Sequence, residues 1–493
     1  MRILQVSAEY FPLLKTGGLA DVTGALPQAL RPHGCDVRAL LPGFPTVMAG
    51  LGPTTEVGRF QAPWGKTLRV LQAALPVGAS DAGQGPVIAY VVDAPGLLDR
   101  PGNPYENSAK QPYADNHRRF AALAWAATRL AQGLDAGWQP QLVHGHDWHA
   151  GLTHACLAHA AAGTGQARVP SVFTVHNLAY QGLFDASLFP DLGLPPQSFQ
   201  PDGLEYWGQI SFMKAGLHYA DRITTVSPTY AREIQLPEHG CGLDGLLRQR
   251  QADLSGILNG VDEAIWNPAT DPHLPFPFSA NQLAGKARCK AALQAEVGLQ
   301  AAADAPMFAI VSRLTEQKGL PLVLDAVDAL VAMGAQLLVL GTGDAWLEDA
   351  FRAKAQQHAG QVAVRIEFDE GFSHRVFAGS DITLVPSRFE PCGLTQMYAL
   401  KYGSVPLVRR VGGLADSVTD TDLITLAESR ATGIVFDRME AADFNHALRR
   451  AHALYRSPHN WAQVQHTGMQ QSFSWDVAAR HYADIYQSLI TAH

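Results

Sequence analysis

The feature that most restricts the fold is a strand and helix rhythm that runs through the chain twice. Arg2 to Ala8 (RILQVSA) is an apolar run of buried-strand length, and after a glycine-bearing loop Gly18 to His33 sets Leu19, Val22, Leu26 and Leu30 at helical spacing before Gly34 stops it. Asp36 to Leu41 (DVRALL) then supplies a second strand. Strand, helix and strand make a βαβ unit, for which parallel pairing is the default. Further strands are predicted at Gln141–His144, Ser171–Val175, Arg222–Val226 and Gly256–Leu258. The pattern loosens between Asn267 and Pro306, through PATDPHLPFPF and an alanine-rich helical stretch. It restarts with strands at Met307–Ser312, Gln336–Leu340, Val362–Phe368, Ile382–Val385 and Val405–Val408. A chain of 493 residues exceeds what one hydrophobic core usually holds. Two doubly wound α/β domains in tandem are therefore expected, 1–261 and 262–493, with the boundary after Val261.

Several classes of function are disfavoured by charge and cysteine usage. The net charge is -8 with no long Lys/Arg run, so the electrostatic footprint of a nucleic-acid binder is missing. Cys35, Cys156, Cys241, Cys289 and Cys392 are scattered and form no CxxC pair, which argues against a disulfide framework or zinc knuckle and for a reducing, cytoplasmic setting. The opening MRILQVSAEYF has its apolar run broken by Glu9 and lacks a cleavage-site pattern, and no apolar segment approaches the roughly 18 residues of a membrane span. Neither export by this route nor a membrane partner is expected.

In doubly wound sheets ligands bind beyond the carboxyl ends of the strands, so the residues following each strand are the informative ones. KTGGL, with Lys15, Gly17 and Gly18, opens a helix whose unpaired N–H groups favour an anion, with the lysine as a mobile charge; an ordinary tight turn with a surface lysine is the competing reading. HGHDWHAG brings His144, His146 and His149 close in sequence, but it lacks the HExxH spacing, and a polar loop at a strand end is expected in place of a metal site. TVHNLAYQG puts His176 and Asn177 at another strand end, where a satisfied structural histidine is the alternative. SRLTEQKG sets Arg313 and Lys318 at a turn into a helix, an arrangement suited to a diphosphate leaving group or else a solvated basic turn. PSRFEPCGLTQ carries Glu390 at a helix mouth, either to steady a positively charged sugar or merely to serve the helix dipole. GTGD, Gly341 to Asp344, reads as a structural turn, and the DxD at Asp420 to Asp422 as a surface loop.

KTGGLADV, HDWHAG, TVHNLAYQG, VSPTYAREI, LNGVD, SRLTEQKG, PSRFEPCGLTQ and VRRVGGLADSV, in that order from Lys15 to Val418, together resemble the motifs of bacterial glycogen synthases of the ADP-glucose-using type, close kin to plant starch synthases. The resemblance implies a GT-B fold, with two Rossmann-like domains facing a deep interdomain cleft and the last helices crossing back to the first domain. It implies retaining transfer of glucose from ADP-glucose to the non-reducing end of glycogen or another α-1,4-glucan, with no cofactor and no metal. Carried over residue by residue, it gives Lys15 a contact with the nucleotide sugar and lets Asp21 and Asn259 line the site. His176, with Asn177 beside it, would meet the glucosyl hydroxyls, Arg313 and Lys318 the diphosphate, and Glu390 the developing positive charge. Cys392, Gly393, Leu394 and Thr395 would lie by the sugar and phosphates. A second GGLAD, Gly412 to Asp416, repeats most of the first turn, and a glycine pair is expected to serve close approach in both. A non-catalytic α-glucan-binding protein, an epimerase, or a phosphorylase, which would need a pyridoxal cofactor, are the alternatives.

Overall fold

In the first part of the chain the strands Arg2–Val6, Leu142–His146, Ser171–Val175 and Arg222–Thr225 are buried at all but at most one residue each, as parallel strands covered on both faces must be. The computed structural model describes residues 1–75, 85–164 and 167–492. The chain divides into two compact units, Met1–Gly260 with Trp475–His493, and Val261–Ser474.

Strands of the first unit are β1 (Arg2–Val6), β2 (Asp36–Pro42), β3 (Thr55–Gln61), β4 (Thr67–Ala74), β5 (Ile88–Asp93), β6 (Leu142–His146), β7 (Ser171–Val175), β8 (Leu183–Asp185), β9 (Glu205–Tyr206), β10 (Gln209–Ser211), β11 (Arg222–Thr225) and β12 (Leu254–Gly256). One sheet runs in the order β12-β11-β7-β6-β1-β2-β5-β4-β3, and β8-β10-β9 form a small second sheet. From β12 to β5 every pairing is parallel, but β5 to β4 and β4 to β3 are antiparallel. The parallel pairing expected of the β1-helix-β2 unit holds, and the antiparallel β5-β4-β3 edge adds to it. The turn between β3 and β4 occupies only residues 62–66, closed by the Ala62 N–H on the Lys66 carbonyl at 2.8 Å, and a parallel connection needs about a dozen residues or more. β3 lies at the sheet edge, mostly exposed or half-buried, so its sequence TEVGRFQ carries no apolar run to betray it. Where Gly256–Leu258 was expected, the strand covers Leu254–Gly256.

The second unit contains β13 (Met307–Val311), β14 (Gln336–Leu340), β15 (Val362–Arg365), β16 (Ile382–Val385), β17 (Val405–Arg409) and β18 (Ile434–Phe436), all parallel, in the order β15-β14-β13-β16-β17-β18. Phe308, Ile310, Leu337, Val339 and Leu384 form its core with the helix Leu320–Ala332, whose Val323, Val327 and Leu330 are fully buried.

Helix Gly18–Leu30 buries Leu19, Val22, Leu26 and Leu30, then tightens into a 3-10 turn over Arg31–His33 and stops at Gly34, where φ is 74°. The C-terminal helix Trp475–Ala492 packs on it, placing Trp475, Ala479, Tyr482 and Tyr486 against Ile3, Val22, Leu26 and Leu30. Tyr486 also reaches His144 in β6, with its hydroxyl 2.7 Å from Nδ1.

HGHDWHAG is not the expected polar loop. His144 and His146 belong to the strand and the helix Asp147–Thr164 starts at once, so both rings are wholly buried. His154, on that helix, is equally buried, and neither ring nitrogen has a hydrogen-bond partner among the described residues. Burial, reinforced by Arg168, pushes its imidazole down to about 3. A histidine held neutral in the fold but free to protonate when unfolded contributes stability above the ordinary value near 6.5, and that contribution is lost as pH falls from there toward 3. His154→Leu is therefore expected to flatten the loss of unfolding free energy between pH 6 and 4 by about 1.4 kcal/mol per pH unit. Urea titrations at several pH values measure it, and a slope equal to the parent's would mean that His154 titrates normally in the folded protein.

Candidate functional site

Each unit's strand order reverses once, and the reversal decides which loops meet. In the first unit the chain fills one flank of β1 with β2, then β3 at the far edge, β4 and β5 back beside β2, and crosses to β6 on the other flank of β1. In the second it winds from β13 to β15 and returns to β16 on the other flank of β13. The loops after the two flanking strands diverge at such a point and leave a crevice at their carboxyl ends. The loop after β1 and the first turn of the helix Gly18–Leu30 carry Glu9 to Asp21, Asp147 opens the helix directly after β6, Arg313 to Lys318 follow β13 and Pro386 to Gly393 follow β16.

In the first unit the KTGGLAD turn is organised by Glu9, a buried carboxylate. It accepts the Thr16 N–H at 2.7 Å and the Gly17 N–H at 3.4 Å, and takes the hydroxyls of Thr16 and Tyr105 as well. This corrects two expectations. Donors at the mouth of the helix are already capped by an internal anion, and Lys15 is no mobile charge, because its Nζ lies 2.8 Å from Asp21 and 5.4 Å from the centre of the Phe11 ring. The glycines behave differently: a Cβ on Gly17 or Gly18 would meet nothing within 4 Å, so this face of the turn is open.

Beyond β7, His176 is buried and shares one proton with His146 across 3.0 Å, Nε2 to Nδ1. Burial holds it neutral, down to about 3. Asn177 caps its own turn by accepting the Ala179 N–H at 3.1 Å. Asn259, after β12, is buried with Oδ1 lacking a hydrogen-bond partner among the described residues. Asp147 adopts φ of 60° and is buried beside the backbone N–H groups of Asn177 and His176, and burial pushes its carboxyl up to about 7. His149 faces elsewhere, stacked on Tyr105 with ring centres 4.9 Å apart. Among the described residues no group of three or more His, Cys, Asp and Glu side chains is arranged to hold a metal ion.

In the second unit the centre is an ion pair. Lys318 Nζ lies 2.6 Å from Glu390 Oε2, and the Ser387 hydroxyl donates to the same oxygen at 2.8 Å. The two residues given separate tasks from the sequence are thus direct partners. Arg313 is exposed and donates to Gln317 Oε1 at 3.2 Å. GTGD forms the turn after β14 and braces this loop, with the Leu314 N–H on Thr342 O and the Asp344 N–H on Leu314 O, both at 2.8 Å. Cys392 is buried, Gly393 turns with φ of 73°, and Thr395 opens the helix Thr395–Lys401 with Leu394 as its N-cap.

The second GGLAD is built for a different purpose from the first. A Cβ on Gly412 would fall 1.9 Å from the Glu390 carbonyl oxygen, and one on Gly413 would fall 2.1 Å from that of Cys392. Gly413 N–H also donates to Glu390 O at 3.1 Å. Only in this copy, therefore, do the glycines permit close backbone approach within the chain, and what they approach is the segment carrying Glu390. The DxD residues are likewise engaged: Asp422 caps the helix Leu423–Ala427 through the N–H groups of Ile424 and Thr425, and Asp420 accepts from Arg450 and the Val435 N–H, each at 2.8 Å.

Glu9, Tyr105 and Asp147 were missed as site residues. Glu9 offered a signal, a lone carboxylate immediately after a buried strand. Asp147 was hidden among histidines, and nothing local marks Tyr105, which reaches the turn from a loop 96 positions away from Glu9.

Residues 2–249 match the family described as starch synthase catalytic domain, and residues 296–465 match glycosyl transferases group 1. The chain is 58% identical to a glycogen synthase of Variovorax paradoxus over 99% of both chains, and 56% identical to a glycogen synthase of Leptothrix cholodnii over 99% of this chain and 100% of that one. Among solved structures it resembles the catalytic domain of starch synthase IV from Arabidopsis thaliana, bound to ADP and acarbose, with a TM-score of 0.88 at 31% identity over 99% of each chain. Sucrose-phosphate synthase from Thermosynechococcus elongatus, at 17% identity and a TM-score of 0.58, shares the fold. Two doubly wound sheets, each reversing its strand order beside a central strand, and 58% and 56% identity over nearly the full length to two glycogen synthases lead to one conclusion: the chain belongs to the glycogen synthase family of GT-B glycosyltransferases.

Proposed function

We propose that this protein is a glycogen synthase, moving glucose from ADP-glucose to the non-reducing end of an α-1,4-glucan with retention at the anomeric carbon and release of ADP. The observation that carries the reading is the Lys318–Glu390 pair at the strand reversal of the second unit. A cation and a carboxylate held side by side suit a reaction in which a diphosphate departs as its sugar becomes positively charged. Lys318 and the exposed Arg313 meet the diphosphate, and Glu390 steadies the sugar. The ADP named with the Arabidopsis neighbour supports the adenine nucleotide as donor. We assign nucleotide-sugar binding to the second unit, with Cys392, Gly393, Leu394 and Thr395 beside sugar and phosphates.

In the first unit, Lys15 contacts the donor, with Gly17 and Gly18 leaving room for it and Asp21 and Asn259 lining the site. The neutral His176 and Asn177 address the glucosyl hydroxyls. A cytoplasmic setting accords with five free thiols, and no helix among the described residues is long and apolar enough to cross a membrane.

Product analysis tests the activity: glycogen-dependent ADP release from ADP-glucose should exceed UDP release from UDP-glucose, and no nucleotide release from either donor would leave a glucan-binding protein. Glu390→Ala should lower kcat by about 10²–10³, the cost of losing one electrostatic stabiliser. If Glu390 merely anchors Lys318, the variant will melt earlier while kcat stays near the parent's. Lys15→Gln should raise KM for ADP-glucose more than KM for glycogen, because an ammonium acts on the anionic donor and not on neutral glucan. Equal rises for both substrates would remove Lys15 from the donor site.

A further inference from the structure

Two consecutive residues grip the turn that carries His176. His146 ends β6 and Asp147 follows it with φ of 60°, while His176 follows β7, the parallel neighbour of β6. Asp147 takes the backbone of that turn, beside the N–H groups of His176 and Asn177, and His146 takes the ring, its Nδ1 lying 3.0 Å from Nε2 of His176. The backbone grip sets where the ring stands. The ring contact sets which of its two nitrogens carries the proton.

Neither imidazole is charged, because burial holds both well below the ordinary value near 6.5. One proton therefore lies between Nδ1 of His146 and Nε2 of His176, and it belongs to one ring or the other. If His176 donates, His146 must carry its own proton on Nε2, an atom that is buried and has no hydrogen-bond partner among the described residues. A donor stranded there costs its desolvation, and buried N–H groups without partners are rarer than unsatisfied acceptors. If His146 donates, its Nε2 is only a bare lone pair. The second arrangement wins on that difference. It leaves the proton of His176 on Nδ1, the nitrogen that His146 does not engage, in a residue that keeps 9% of its surface exposed.

His146 is itself held in place. Residues 144 and 146 share one face of their strand, and the His144 ring lies 4.0 Å from that of His146, centre to centre. His144 is tied at both nitrogens, Nδ1 to the Tyr486 hydroxyl at 2.7 Å and Nε2 to the Thr174 hydroxyl at 2.6 Å. The ring that orients His176 is thus backed by one that cannot turn without breaking two hydrogen bonds, and such support is what holds a functional group to its working geometry.

Resting on the glycogen synthase reading, we propose that His146 is a positioning residue: its Nδ1–H donates to Nε2 of His176 and so presents the Nδ1–H of His176 as a donor to a hydroxyl oxygen of the transferred glucosyl group. The opposite tautomer would offer that oxygen only a lone pair.

Histidine-selective nitrogen-15 NMR of the full chain, with the His176 signals identified by their loss in His176→Phe, reads the tautomer, and steady-state kinetics read its use. In the parent, Nδ1 of His176 should be protonated and Nε2 bare, a result that needs no change at His146. His146→Leu should free the ring to take the other tautomer and lower kcat roughly tenfold to a hundredfold, as loss of the residue orienting a metal-bound histidine does, with KM for glycogen little changed. His146→Asn, whose amide can donate from the place of Nδ1, should keep the parent's tautomer and most of its kcat. A proton on Nε2 of His176 in the parent overturns the proposal, as does a parent-like kcat in His146→Leu. Equal losses in the leucine and asparagine variants, with the tautomer unchanged in both, would make His146 a packing residue and overturn it as well. The two readings fail separately. A parent that releases no nucleotide but carries the His176 proton on Nδ1 defeats the transferase and leaves the tautomer assignment standing; an active parent with that proton on Nε2 defeats this inference alone.

Discussion

Parallel pairing from a central strand, with the chain leaving on one flank and returning on the other, is the constraint on which the candidate site depends. It sets the loops after β1 and β6 side by side in the first unit, and those after β13 and β16 in the second. Lys318 and Glu390 lie 72 positions apart in sequence, and they pair because their strands are neighbours. A parallel sheet cannot close such neighbours with tight turns, so the helices between them lie on the sheet faces and leave the strand ends to the loops.

A second property, common to the strand-end loops of each unit taken by itself, is that their charges are paired within the protein. Glu9 holds the N–H groups and hydroxyl of the glycine turn, Lys15 is paired with Asp21, and Lys318 with Glu390. Burying an ion pair costs desolvation that its attraction only partly offsets, and removing one partner leaves the other stranded. Pairing therefore keeps each charge in position at a tolerable cost. In the proposed reaction the donor diphosphate competes with Glu390 for Lys318, and the carboxylate turns to the sugar as positive charge grows there. The group that neutralises the cation at rest is the one the sugar calls on next.

The two GGLAD turns show how identical letters can answer different physical needs. Gly17 and Gly18 face open space, whereas Gly412 and Gly413 press against the carbonyls of Glu390 and Cys392 so tightly that any Cβ would collide. The first pair leaves room for something outside the chain. The second supports the backbone segment that carries the proposed stabilising carboxylate.

The doubly wound architecture of both halves was legible in the amino-acid sequence, because strands buried on both faces must be apolar throughout and the intervening helices repeat at 3.6 residues. Glycine-marked strand ends likewise pointed to Lys15, His176, Arg313, Lys318 and Glu390 as residues at the carboxyl ends of strands. The edge strand β3 and its neighbour β4 were not legible, since β3 is largely solvated and β4 is exposed at both ends, and the buried strands β5 and β18 were passed over although they are apolar. Nor were the pairings: that Glu9 anchors the first turn, that Tyr105 joins it, that Lys318 meets Glu390, and that the histidines of HGHDWHAG are buried in a strand and a helix. By itself the sequence determined the alternation of buried strands and helices in both halves, because that follows from local periodicity and turn chemistry. Only the tertiary structure decided which charges neutralise one another, because electrostatic partners are chosen by distance in space, and strand order sets that distance independently of separation along the chain.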